Sequence, residues 1–149
     1  MTAQSTLVLI KPDAIRRGLI GAAIARLEPL QLEMIGAKVV RVSRDLAAEH
    51  YRQLREKPFF EQLLEHLQGT LHDTPYVLAF VLRGEDAIAR VRDVTGATHP
   101  EQAHPTTIRG SFGRMTASGV MENIIHASAD AREAQREIAL WFKPEELLG

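Results

Sequence analysis

The hexapeptide NIIHAS at residues 123–128 ends an apolar run on a histidine, with nothing larger than alanine or serine for two positions after it. A lone histidine on such a segment is most often a core residue whose ring nitrogens are satisfied by backbone groups. Three neighbours of His126 point elsewhere. Ala127 and Ser128 leave one side of the ring open, Ser128 adds a hydroxyl, and Glu137 stands on the following helix, where a carboxylate can accept from one ring N–H. An imidazole oriented in that way is a nucleophile through its second nitrogen. Asn123 lies three residues earlier, so a flat strand puts it on the opposite face from His126. Both serve one site only if the strand bends or ends between them. Lys11 closes another apolar stretch, TLVLIK, and the Pro12 that follows breaks that strand, which leaves Lys11 at a strand end.

The elements that must carry these residues follow from periodicity. TLVLIK (6–11) is a buried strand. Ile20, Ala23, Ile24 and Leu27 recur at helical spacing, and MIGAKVVRV (34–42) is a second strand. DLAAEHYRQLRE, capped by Asp45, and KPFFEQLLEHL are two short helices interrupted at Pro58. YVLAFVL (76–82) is a third strand, EDAIARVRDV a helix with Ile88, Val91 and Val94 near one face, and VMENIIHA (120–127) a fourth strand. The closing helix, ADAREAQREIALWF, carries an apolar stripe of Ala131, Ala134, Ile138 and Trp141. Between Gly96 and Gly119 the prolines, glycines and small polar residues indicate a long functional loop. This order predicts an α/β (α+β) fold, a ferredoxin-like sandwich in which a four-stranded antiparallel sheet carries helices on one face. The chain has neither GxxxxGK[ST] nor GxGxxG, so any nucleotide is handled without the usual phosphate-cradling loops.

Composition narrows the classes. With 149 residues, 45% hydrophobic and 25% charged, the chain reads as one compact domain over 1–149. Its 18 Lys and Arg nearly balance 19 Asp and Glu, so phosphate binding must come from a few placed cations and a general nucleic-acid binder is disfavoured. The 5% aromatic content also argues against an RNA-binding sheet. Without cysteine there is no disulfide, thiolate nucleophile or Cys-based zinc site. TLVLI is too short for a membrane span or signal-peptide core, and the expected location is cytoplasmic. His50, His66 and His72 read as surface or helix-face residues. His99 and His104, five apart in a proline-flanked loop, make a poor metal site.

TLVLIKPDA, EHYRQLREKPFFEQLLEHL, RDVTGATHP, TTIRGSF, NIIHAS and REIALWFKPEEL together resemble, in order and over nearly the whole chain, the nucleoside diphosphate kinase family. The resemblance implies transfer of the terminal phosphate of a nucleoside triphosphate such as ATP to a nucleoside diphosphate through a phosphohistidine, with Mg2+ carried on the nucleotide phosphates. It puts the nucleophile at His126, with Glu137 holding the ring and Ser128 in support. Lys11 would contact the terminal phosphate and ribose, with Tyr51 supporting it. Arg92, Thr98 and Arg109 would bind phosphates, Phe59 would stack on the base and Asn123 would bind the ribose 3'-hydroxyl. Two guanidiniums, an ammonium and a metal suit phosphoryl transfer, which asks mainly for positioning and charge neutralisation. Stacking on Phe59 suits any base, because every base has a π-face.

The resemblance also implies a homo-oligomer built from dimers, a tetramer or hexamer. QGTLHDTP (68–75) and the 111–121 segment are longer than in most members, and both are expected at subunit contacts or pocket rims, leaving the phosphate site intact. Two other readings use the same histidine: a phosphohistidine carrier or signalling protein, which has no need of Phe59, Asn123 and Thr98, and a catalytically weak assembly protein, which would be marked by loss of His126, Lys11 or an arginine.

Overall fold

The computed structural model describes residues 3–149. In chain order the elements are β1 (Ala3–Ile10), α1 (Pro12–Arg16), α2 (Ile20–Leu27), β2 (Glu33–Val40), α3 (Arg44–His50), α4 (Phe60–Gln68), β3 (Val77–Glu85), α5 (Ala87–Thr95), α6 (Ile108–Phe112), β4 (Arg114–Met115), β5 (Met121–Glu122), β6 (Ile125–Ala127) and α7 (Ala131–Trp141). The main sheet has the order β2-β3-β1-β6 and every pairing in it is antiparallel. This is the predicted four-stranded α/β arrangement. No helix among the described residues is long and apolar enough to cross a membrane.

Helices cover both faces of this sheet, where one face was expected. Leu7 and Leu9 of β1 meet Ala47, Leu64, Leu67 and Trp141 from α3, α4 and α7. Val8 and Ile10 meet Ala14, Ala23, Leu27, Val91 and Ile108 from α1, α2, α5 and α6. An unbroken apolar run such as TLVLI is what a strand buried on both sides requires, whereas a sheet with one wet face alternates.

Three local expectations change. Ser43, not Asp45, caps α3, because its hydroxyl accepts from the Leu46 N–H at 3.1 Å. The 96–119 stretch is not one loop: it holds α6, capped by Thr107 through the Gly110 N–H, and β4 with the turn that leads to its partner β5. Gly110 belongs there because a Cβ would lie 2.0 Å from the His104 carbonyl oxygen. The 120–127 strand is broken into β5 and β6 at Ile124, whose φ of 73° is left-handed.

Candidate active site

The break at Ile124 reconciles the two faces of the final strand. Asn123 precedes it and His126 follows it, in β6, where His126 pairs with Leu9 of β1. Antiparallel pairing of β6 with β1 brings the NIIHAS segment beside the KPD turn, and the Ile124 carbonyl accepts from the Lys11 N–H at 3.0 Å.

His126 is held from one side. Its Nε2 lies 2.9 Å from Glu137 Oε1, and the Ser128 hydroxyl donates to that same oxygen at 2.7 Å. Ser128 is fixed in turn by the Leu7 N–H, which donates to its Oγ at 3.1 Å. Glu137 sits mid-helix on α7, buried, because α7 packs across β1. An ionised carboxylate only accepts, so Nε2 carries the proton and Nδ1 keeps the lone pair. The side chain is 19% exposed, enough to reach a ligand while its partner stays dry.

The cations converge on Asn123. Lys11 Nζ donates to Asn123 Oδ1, and the Asn123 amide donates to the Thr98 carbonyl at 3.2 Å. Burial pushes the Lys11 ammonium down to about 8; Asp13 opposes the shift and Arg109 adds to it. Arg109 is also buried, and it donates from Nε to the Asn123 carbonyl at 3.2 Å, from Nη1 to Gly96 at 3.1 Å and from Nη2 to Ile125 at 2.7 Å. Burial and then the charge of Arg92 lower Arg109 to about 10. Arg92, on α5, is exposed. The Tyr51 phenol is pushed up, first by burial.

Phe59 stands outside this group, 46% exposed at the start of α4. Its ring is presented to solvent and not to the core, the arrangement a stacking platform needs.

Sequence reasoning missed the roles of five residues. His50 is buried, with its ring 4.5 Å from that of His126 at 76° and its Nδ1 accepting from the Trp141 N–H at 3.0 Å. Burial, then the charges of His126, Arg136 and Lys11, hold its pKa well below the ordinary value, so it is neutral. Asp13, fully buried, accepts from the Ile124 N–H and pairs with His66; His72 pairs with Glu122. His50, His66 and His72 are therefore not surface residues. Each satisfies a partner far away in the chain, a signal that helix-face periodicity does not carry. His99 and His104 each accept a nearby backbone N–H through Nδ1.

A profile of the family described as Nucleoside diphosphate kinase matches residues 4–147. The nucleoside diphosphate kinase of Pyrococcus horikoshii is 48% identical over 144 residues, covering 97% of this chain and 88% of that protein. That of Thermus thermophilus is 47% identical over 145 residues, covering 97% and 99%. Among solved structures, a halophilic nucleoside diphosphate kinase from Halobacterium salinarum in complex with CDP superposes with a TM-score of 0.89 at 39% identity, covering 99% of this chain and 93% of that one. A Borrelia burgdorferi nucleoside-diphosphate kinase with bound vanadate and ADP, a transition-state mimic, gives 0.87 at 37%, covering 99% and 91%. An accessible imidazole held by a buried carboxylate, buried cations and these matches agree: the chain belongs to the nucleoside diphosphate kinase family, enzymes that pass the terminal phosphate of a nucleoside triphosphate to a nucleoside diphosphate.

Proposed function

We propose that the transfer runs in two half-reactions through phospho-His126. The observation that carries this reading is the shared Glu137 oxygen, which occupies Nε2 of His126 and leaves Nδ1 as the free nucleophile. Nδ1 attacks the terminal phosphorus of ATP, the Nδ1–P bond forms as the bond to the bridging oxygen breaks, and ADP leaves. A second nucleoside diphosphate then attacks the phosphohistidine and restores the ring. Glu137 stabilises the proton on Nε2 while the ring bears the phosphoryl group, and Ser128 fixes that carboxylate.

Lys11, Arg92 and Arg109 neutralise the phosphates, Thr98 hydrogen-bonds them, and Tyr51 is in support. Asn123, already bonded to Lys11, is positioned to meet the ribose 3'-hydroxyl, and Phe59 stacks on the base without reading its edge. The divalent cation is Mg2+ arriving on the nucleotide. Asp13 and Glu137 already hold partners, and the group of His50, His126 and Glu137 offers two imidazoles, whereas Mg2+ selects oxygen ligands. Among the described residues, those around His126 therefore offer Mg2+ few free oxygen ligands of their own.

The chain acts over its whole length as one domain, in the cytoplasm, and as a homo-oligomer. The last reading is supported by the open edge of β2, where Val39 is 67% exposed and Met34 is also uncovered. The CDP-bound and vanadate–ADP-bound relatives support nucleoside phosphates as substrates. The deciding experiment is incubation with terminally labelled ATP and Mg2+, followed by assay for acid-labile phosphate on the protein. Label should appear without an acceptor and discharge to GDP or CDP. A His126→Ala protein that turns over normally refutes the scheme.

A further inference from the structure

Ile124 is fully buried and β-branched, yet its φ of 73° lies in the left-handed region, a strained conformation that persists only where the surroundings enforce it. The KPD turn grips both of its polar groups. Asp13 Oδ2 accepts the Ile124 N–H at 2.9 Å, and the Lys11 N–H donates to the Ile124 carbonyl at 3.0 Å. Arg109 binds the carbonyls on either side of it, those of Asn123 and Ile125.

Asp13 is oriented from behind. Its Oδ1 lies 3.0 Å from His66 Nε2 on α4. His66, whose pKa is lowered first by burial and then by Lys11, is neutral and donates that proton. The His66 ring meets the His72 ring at 5.1 Å, and His72 Nε2 lies 2.8 Å from Glu122 Oε2, one residue before Asn123. Arg114 of β4 donates to the other Glu122 oxygen at 2.7 Å. The two lengthened segments, 68–75 and 111–121, thus meet at Glu122, at the root of the bent strand. A fully buried carboxylate is a costly way to fill space, since an apolar side chain of similar size avoids the desolvation penalty. Here its acceptors match one N–H of the strained residue and one of an imidazole.

We infer that Asp13 is a positioning residue for phosphoryl transfer: oriented by His66, its carboxylate holds Ile124 in the left-handed conformation and so fixes Asn123 and His126 relative to one another. It touches neither substrate nor the reacting nitrogen. The inference rests on His126 as the nucleophile.

The test compares Asp13→Asn, Asp13→Ala and His126→Ala with the parent, each full-length and checked for folding. Two quantities are read: the single-turnover rate of protein phosphorylation by saturating Mg·ATP, and the hydrogen-exchange protection of the Ile124 amide by NMR. Asparagine still accepts from Ile124 and donates to the other tautomer of His66, so Asp13→Asn should keep the amide protected and phosphorylate within about fivefold of the parent. Asp13→Ala should lose protection and slow by about 30–100-fold, with ATP affinity changed far less, because misplacement of about 1 Å costs on this scale. The claim is that rate follows protection across the Asp13 variants, and a folded Asp13 variant in which the two part company overturns it. Should Asp13→Ala fail to fold, Asp13→Asn alone decides by the same criterion. His126→Ala should take no label with its Ile124 amide intact; label on that variant defeats the nucleophile assignment and leaves the clamp to be judged on the Asp13 pair.

Discussion

The indole N–H of Trp141 donates to Nδ1 of His50 at 3.0 Å. Because an indole nitrogen only donates, this contact fixes the tautomer of His50: Nδ1 holds the lone pair and Nε2 the proton. A neutral imidazole with one defined proton therefore lies edge-on against His126.

Replacing Trp141 by phenylalanine keeps most of the packing and leaves Nδ1 of His50 buried without its donor. The expected loss is about 1–3 kcal/mol of stability, the cost of an unsatisfied buried acceptor. Urea unfolding of the variant checks it, and an unchanged midpoint and slope would mean that His50 finds another partner.

Glu137→Gln keeps an oxygen that can accept from His126 but removes the charge that stabilises the proton on Nε2. Turnover should fall by about 10–100-fold, against near-complete loss in His126→Ala. Parallel steady-state assays on both folded variants make the comparison, and equal collapse of the two would argue against an orienting role.

Lys11→Met should trade activity for stability. The folded value of about 8 lies below the ordinary 10.5, so the unfolded chain binds this proton more tightly. Burying the ammonium therefore costs stability at and below about pH 8, and the cost fades as pH rises toward 10.5. Methionine removes a penalty of about 3 kcal/mol but leaves Asn123 short of a donor, giving a net gain of about 1–2 kcal/mol at pH 7 by denaturant titration. Turnover of the same variant should drop by about 100–1000-fold, as when one preorganised donor to developing charge is lost. In the parent, kcat/KM should decline as pH rises through about 8, where free Lys11 loses its charge.

Phe59→Ala removes an exposed ring, so thermal stability should change by less than about 0.5 kcal/mol. Nucleotide affinity should weaken by about 1–3 kcal/mol, to a similar degree for adenine, guanine and cytosine nucleotides. Isothermal titration with the three diphosphates checks both the size and the uniformity, and a loss confined to one base would mean that the ring reads that base.

Val39→Glu places a charge on the open edge of the sheet, where 67% of this residue is uncovered in the single chain. Light scattering should show the proposed tetramer or hexamer falling to smaller species with little change in the fold by circular dichroism. A parent protein that is a fully active monomer would remove the oligomer from the proposal.

The legible parts of the fold were those whose local pattern and tertiary fate agree. β1 reads as a buried strand because every residue from Leu7 to Ile10 is fully buried, and α7 reads as a helix because Ala134, Ile138 and Trp141 of its stripe are covered, although Ala131 in its first turn is exposed. β6 was read as part of one long strand because nothing in ENIIH announces that an isoleucine will take a left-handed turn; Asp13 and Arg109, over 100 and 15 or so residues away, hold it there. The 96–119 helix was hidden by its glycines and prolines, which position it by close backbone approach at Gly110. His126 and Glu137 are legible from their own neighbours, whereas the roles of Lys11 and Asn123 come from an ordered resemblance; all four lie within hydrogen-bonding networks in space. Asp13 stands in the same KPD without a local sign of its role, because its partners are a backbone N–H and an imidazole, both distant in the chain.

Lys11 and Arg109 are buried cations whose charges burial disfavours, and the carboxylate beside them, Asp13, already serves Ile124 and His66. In the proposed scheme, nucleotide phosphates supply the counter-ions for these two cations. A ligand present at a hundredfold its dissociation constant adds about 3 kcal/mol to resistance against unfolding. The empty enzyme is accordingly its own most fragile form, and its lifetime in a cell would rise and fall with the nucleotide pool on which it works.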